Sequence, residues 1–164
     1  MGKVRNTLIF TFFVAGSIWV LYMQMTTSSE PYQAVEKAAD KEGVDLSDTV
    51  ITHLVDDCAY TLYYTNDSYG FALSEKNLFG WKVVDFVDGL PLDKSLANQG
   101  YAFSKTFGII HGIVDSFVEH VQIDGSDSNI SHIPGENIRV WYNVNVTPDD
   151  AEKVKFIDRD GSEF

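Results

Sequence analysis

Basic side chains are scarce in this sequence: 12 Lys and Arg stand against 24 Asp and Glu, a net charge of −12 over 164 residues. Phosphate contacts need clustered cations, so the balance argues against nucleic acid as a partner. Cysteine is almost missing too. The lone Cys58 can form no internal disulfide, and no Cys/His cluster has the spacing of a zinc site. Gly-x-Ser-x-Gly, Ser-x-x-Lys and phosphate-binding glycine loops are absent as well. What is present is 45% hydrophobic and 13% aromatic. That is too apolar for disorder, and the length suffices for one domain with its own core.

Charge is also missing from one long stretch. No charged side chain occurs from Asn6 through Ser29, and Thr7–Met25 is an apolar run of 19 residues. As a helix it would span about 28 Å, close to the hydrocarbon thickness of a bilayer. Lys3 and Arg5 precede the run, and Glu30 is the first charge after it. The positive-inside rule then puts the N-terminus in the cytoplasm and residues 30–164 outside, with Trp19 and Tyr22 near the outer interface. A retained signal-anchor is the reading favoured, and secretion after signal cleavage is the alternative. Thr26–Ser29 are small enough to be cut, but no Ala-x-Ala stands there and no Cys follows to accept a lipid. A buried helix of a soluble core would have to be wrapped on all sides. Gly16 and Ser17 are small residues suited to a helix–helix contact, but no full Gly-x-x-x-Gly lies within the run.

The organisation expected is a cytoplasmic tip (1–6), an anchor or signal (7–25), a linker with a short helix (26–44) and an extracytoplasmic β domain (45–164). Without Lys3 and Arg5 the outer part keeps 10 basic against 24 acidic residues, −14. That sign favours solubility and disfavours adhesion to anionic lipid or cell-wall polyanion.

Pro31–Glu42 reads as a short amphipathic helix, with Pro31 at its start, Gly43 as C-cap and a stripe of Tyr32, Val35, Ala38 and Ala39. Beyond Asp45, β-branched and aromatic segments alternate with polar turns: 49–55, 58–65, 69–74 and 81–87, then a loop over 90–100. Further strands are expected at 106–115, 117–124, 129–133, 137–147 and 154–158. That rhythm points to antiparallel packing. In 138–146, Ile138, Val140, Tyr142, Val144 and Val146 alternate with Arg139, Trp141, Asn143 and Asn145, the pattern of a half-buried strand. Phe103, Phe107, Ile110, Val114, Phe117 and Val121 recur at helical spacing, but Gly108, Gly112 and the β-branched residues between them favour strands. The fold class expected is mainly β: an antiparallel β-sandwich or barrel-like domain preceded by one transmembrane helix and the short helix. An α+β arrangement, with a helix packed on a curved antiparallel sheet, is the alternative.

His53, His111, His120 and His132 are the candidates for metal or acid–base work, and none has metal-motif spacing. His111, Asp115 and His120 would converge if a hairpin formed around Ser116, giving a candidate metal site. Asp158-Arg159-Asp160-Gly161 resembles the middle of a calcium loop, but Phe156 falls where the first ligand belongs. A tight turn accounts for it better, and the same holds for Asp124–Asn129. No cofactor is expected; calcium or another divalent cation is the alternative. Cys58 beside Asp56 and Asp57 is disfavoured as a thiolate and reads as a buried strand residue.

Aromatic residues offer the remaining lead. Trp141 falls on the polar face of its strand beside Arg139, and Tyr63, with Tyr64, Tyr69 and Trp81, would extend a surface for stacking on a sugar or peptide. Packing of Trp141 under a loop or against the N-terminal helix is the competing explanation.

Leu78–Lys82, Val121–Gly125, Ile138–Tyr142 and the closing Asp158–Gly161 resemble segments of small membrane-anchored proteins of Gram-positive bacteria that carry no assigned function. The resemblance implies an extracytoplasmic β domain and supplies no catalytic residues. The function expected is a non-enzymatic binding or interaction module tethered to the membrane, with an envelope protein or glycan as partner. A small extracytoplasmic hydrolase or metal-dependent enzyme using the histidines is the alternative.

Overall fold

The computed structural model describes residues 2–133 and 135–163, with side chains from residue 10 onward except at 48–50 and 88. The tip expected at 1–6, with Lys3 and Arg5, therefore lies outside the described side chains. Strands make up 47% of the chain and pair antiparallel, so the mainly β expectation stands; they close no barrel. The chain divides into two compact units. One comprises Met1–Asp45, Thr52–Thr61 and Ala72–Asp85, the other Leu46–Ile51, Leu62–Phe71 and Phe86–Phe164.

The first unit opens with helix α1 (Gly2–Thr26), followed by α2 (Pro31–Glu42). Among the described residues no helix is long and apolar enough to cross a membrane; the side chains that begin the apolar run fall outside that set. From Phe10 to Tyr22 each residue of α1 is exposed, so no soluble core wraps it. Helix α2 ends as its sequence requires. Gly43 takes the left-handed conformation at φ 72°, and its N–H donates to the Ala39 carbonyl. Its inward face is Pro31, Ala34, Val35 and Ala39, whereas Tyr32, expected in the stripe, is exposed.

Strands β1 (Asp48–Val55), β2 (Cys58–Tyr64), β3 (Ser68–Asn77) and β4 (Gly80–Pro91) form a meander in that order. The β1–β2 and β3–β4 turns belong to the first unit. There Ala34 of α2 packs with Ala59 and Trp81, and Val83 adds to the cluster.

The second unit adds β5 (Tyr101–Ser104), β6 (Ile109–Asp115), β7 (Val118–Ile123), β8 (Ser126–Asp127), β9 (Asn129–His132), β10 (Ile138–Val144) and β11 (Val154–Asp158). One sheet runs β5-β6-β10-β9 and another β11-β7-β8. Register sorts the faces of the first of these. Trp141 lies opposite Gly112 and Asn143 opposite Ile110, while Tyr142 lies opposite His111 and Val140 opposite Ile113.

Both faces are covered. On one, Ile110, Val114 and Trp141 pack with Val118, Val121 and Ile123 of β7, joined by Val154 and Phe156 of β11. On the other, Phe71 meets His111 and Tyr142 with ring centroids 5.2 Å away in each case. The half-buried reading of 138–146 is thus corrected: strand alternation survives, but its polar-looking face lies against a second layer. Residues 103–121 hold strands, as favoured, separated by turns at 105–108 and 116–117, so the strand expected from 106 begins at Ile109. The spacing of four that looked helical links Ile110 to Val114 along one strand face, because four is also two strand periods.

Some short elements were not expected, among them β5, β8 and one helix. Thr147-Pro148-Asp149-Asp150 opens a short helix, α3 (Pro148–Ala151). The Thr147 hydroxyl donates to Asp150 Oδ2 at 2.7 Å and its backbone N–H to the same oxygen at 2.8 Å.

Candidate functional site

The most chemically distinctive buried pair lies on the face of β6 toward β3. Tyr69 Oη and His111 Nδ1 are 2.8 Å apart, and both residues are buried. Tyr69 also accepts the Leu90 backbone N–H. We therefore assign the phenolic proton to the bond toward Nδ1, which leaves Nε2 to carry the ring proton. Burial pulls His111 down to about 4 and pushes the Tyr69 phenol well up. The pair is neutral near pH 7, enclosed by Phe71 and Tyr142, and works as a structural hydrogen bond.

Tyr69 also fixes where β4 runs. A Cβ at Gly89 would fall 1.8 Å from the Tyr69 carbonyl oxygen, so that position must remain glycine for the backbones to meet.

The proposed metal triad does not assemble, and topology is the reason. β6 and β7 lie in different sheets, so the turn around Ser116 does not pair His111 with His120. His111 is sequestered by Tyr69, and Asp115 Oδ1 accepts the Ser116 N–H at 2.7 Å. His120 stands at the surface, its Nδ1 3.5 Å from Asp127 Oδ2. Among the described residues no group of three His, Cys, Asp or Glu side chains is placed to hold a metal ion. His53 lies on β1 and exposed His132 on β9.

The aromatic platform is corrected as well. Trp141 is 0% exposed, its ring edge-on to Phe156 with centroids 5.9 Å apart. Tyr63 is buried edge-on against Phe86 at 5.7 Å. Neither presents a face for a sugar or peptide. Arg139 points inward too: its guanidinium donates to the carbonyls of Asp115 and Val118, bracing the β6–β7 turn. Burial is the main influence on that guanidinium, lowering its pKa.

Cys58 is half-buried rather than fully buried. Its thiol is pushed up first by burial and then by Glu75, Asp57 and Asp56, so it is poorly suited as a nucleophile. In the closing Asp-Arg-Asp-Gly turn, Asp158 Oδ1 accepts the N–H groups of Asp160 and Ser162 at 2.9 and 2.8 Å. Those two bonds to one carboxylate oxygen shape a tight turn.

The second unit also carries an open cleft of about 300 Å³ lined by Ser47, Tyr64, Thr65, Asn66, Leu92, Ile133 and Glu136. Its rim is held by local bonds. Thr65 N–H donates to the Ser68 carbonyl, the Thr65 and Ser68 hydroxyls are 2.7 Å apart, and Leu92 N–H donates to the Asp67 carbonyl. The lining offers hydroxyls, an amide and one carboxylate, with no His, Cys or Lys. Such a set can hydrogen-bond a polar group but contains no nucleophile–base pair. Its residues come from four separate stretches of chain, so no local motif announced it.

Scans against family models, curated proteins and solved structures each return no match for this chain.

Proposed function

We propose that this protein is a non-enzymatic interaction module tethered to a membrane by α1. Its N-terminus is cytoplasmic, its β domain is a sandwich displayed on the extracytoplasmic side, and its open cleft receives a polar segment of an envelope protein or glycan. The observation that carries the reading is the bare apolar helix. Phe10, Phe12, Phe13, Ile18 and Leu21 are exposed at 70, 74, 77, 62 and 58%. A solvent of lipid removes that surface from water without any further protein.

Two hydroxyls of α1 are compatible with hydrocarbon. Ser17 Oγ donates to the Phe13 carbonyl at 2.9 Å and Thr26 Oγ1 to that of Tyr22 at 3.0 Å. Each hydroxyl is thereby satisfied within the helix, as a water-free environment demands. The apolar run of the sequence continues to Thr7, and Lys3 and Arg5 supply the charge that fixes orientation.

One experiment tests both halves. A photocrosslinking side chain is placed at exposed Asn66 of the full-length chain, cells are irradiated, and their membranes are washed with alkaline carbonate. The full-length chain is expected in the washed pellet, carrying a discrete adduct. Recovery of the full-length chain in the wash contradicts the anchor, and a pellet without adduct contradicts the role of the cleft.

A further inference from the structure

We propose that the β3–β4 turn is a second membrane contact, with Leu78 and Phe79 seated in the bilayer interface beside α1. The inference rests on the anchoring of α1 and adds a site to it. Leu78 is 99% exposed at the tip of the turn. A single exposed leucine is ordinary on a protein surface; what sets this one apart is its continuity with α1.

Phe79, next in sequence, packs edge-on against Trp19, with ring centroids 5.6 Å apart. Trp19 precedes Thr26 by seven positions, about 10 Å along a helix axis. The turn therefore reaches back along the apolar run instead of standing clear of its end. A bilayer that accepts Trp19 at its outer interface meets Leu78 and Phe79 as well.

The turn is fixed at that height. Ser28 and Trp81 exchange both backbone bonds, at 2.8 and 2.7 Å, and the Thr27 hydroxyl lies 3.0 Å from the Phe79 carbonyl. Asn77 Oδ1 accepts the Phe79 N–H at 2.8 Å, which shapes the tip. Gly80, at φ 124°, makes the approach possible: a Cβ there would sit 2.3 Å from the Ser28 carbonyl oxygen. The contact proposed is apolar insertion into the interface and needs no anionic headgroup, consistent with the acidic surplus of the chain. The two-point attachment would hold the first unit at a set height and tilt instead of letting it swing about the end of α1.

The test uses the full chain in phosphatidylcholine vesicles, with Cys58→Ser removing the native thiol. An environment-sensitive fluorophore is attached through Leu78→Cys or, separately, through Ile18→Cys on α1. Emission is then read with a lipid quencher distributed from headgroup to acyl chain and with a quencher confined to water. Both probes are expected to lose most of their emission to the lipid quencher and little to the aqueous one. If the Ile18 probe is quenched by lipid while the Leu78 probe answers only to the aqueous quencher, the second contact is overturned and the anchor stands. A Leu78 probe reached by neither quencher means that protein covers the turn, which also overturns the proposal. An Ile18 probe untouched by lipid removes the anchor and the second contact together.

Discussion

Trp141→Ala is expected to destabilise the second unit by about 3–5 kcal/mol, the range for deleting a large aromatic side chain from a packed core. Domains of this size are stable by only about 5–15 kcal/mol, so the loss is a substantial share of the margin. The expectation follows from position: Trp141 is fully buried between Ile110 and Val114 on its own sheet and Val121 and Phe156 beyond it. Gly112 supplies the space. A Cβ added there would fall 2.7 Å from Trp141 Nε1 and 2.7 Å from the Gly100 carbonyl oxygen. Gly112→Ala should therefore cost about 1–3 kcal/mol by overpacking. Part of that cost should vanish when Trp141 is already alanine, because the indole is one of the two obstacles. Urea midpoints by circular dichroism for the two single variants and the double variant measure the coupling. A Trp141→Ala midpoint matching the parent would place the ring at the surface and restore the stacking platform.

Acidification supplies the second large effect. Unfolded His111 takes up its proton near the ordinary histidine value of 6.5, whereas the folded, buried ring does so only at about 4. Between those values the unfolded chain binds more protons, so stability rises with pH across the window and is lost on descending through it. At about 1.4 kcal/mol per pH unit, the full descent should remove about 3 kcal/mol. The titratable neighbours on this face are the hydroxyls of Tyr69 and Tyr142, both pushed up by burial and neutral throughout. His111→Asn keeps an acceptor near Nδ1 for the Tyr69 hydroxyl but does not titrate. Urea midpoints of parent and variant should therefore converge on acidification, the parent falling faster. Parallel curves over pH 6.5 to 4 would show that His111 is protonated in the folded state or is solvated there.

Much of the fold was legible because its signals are local. Pro31 and Gly43 bracket α2, and Asp56, Asp124 and Gly125 adopt positive φ at turns where polar, turn-forming residues stood in the sequence. Helix α3 was as local, since Thr147 and Asp150 form a capping box with Pro148 at the first helical position, but the strand pattern running to Val146 masked it.

Trp141 was misplaced for a different reason. Whether the second face of β10 meets water depends on where β7 and β11 travel, and alternation within one strand carries no information about a layer from elsewhere in the chain. The metal triad failed likewise, because sequence proximity across Ser116 did not reveal that β6 and β7 enter separate sheets. Arg139 looked like a surface cation beside an aromatic ring, yet the carbonyls of Asp115 and Val118 claim it from inside. The cleft was hidden entirely, since Asn66 and Glu136 become neighbours only through the fold.

The account stands on α1 crossing a membrane with the β domain outside. Side-specific thiol labelling of the full-length chain in intact cells, in a Cys58→Ser background, tests this most directly. An impermeant maleimide should label Asn66→Cys in intact cells, whereas Gly2→Cys, which keeps Lys3 and Arg5, should react only after the membrane is opened. Labelling of Gly2→Cys from outside, or protection of Asn66→Cys until the cells are opened, would contradict it.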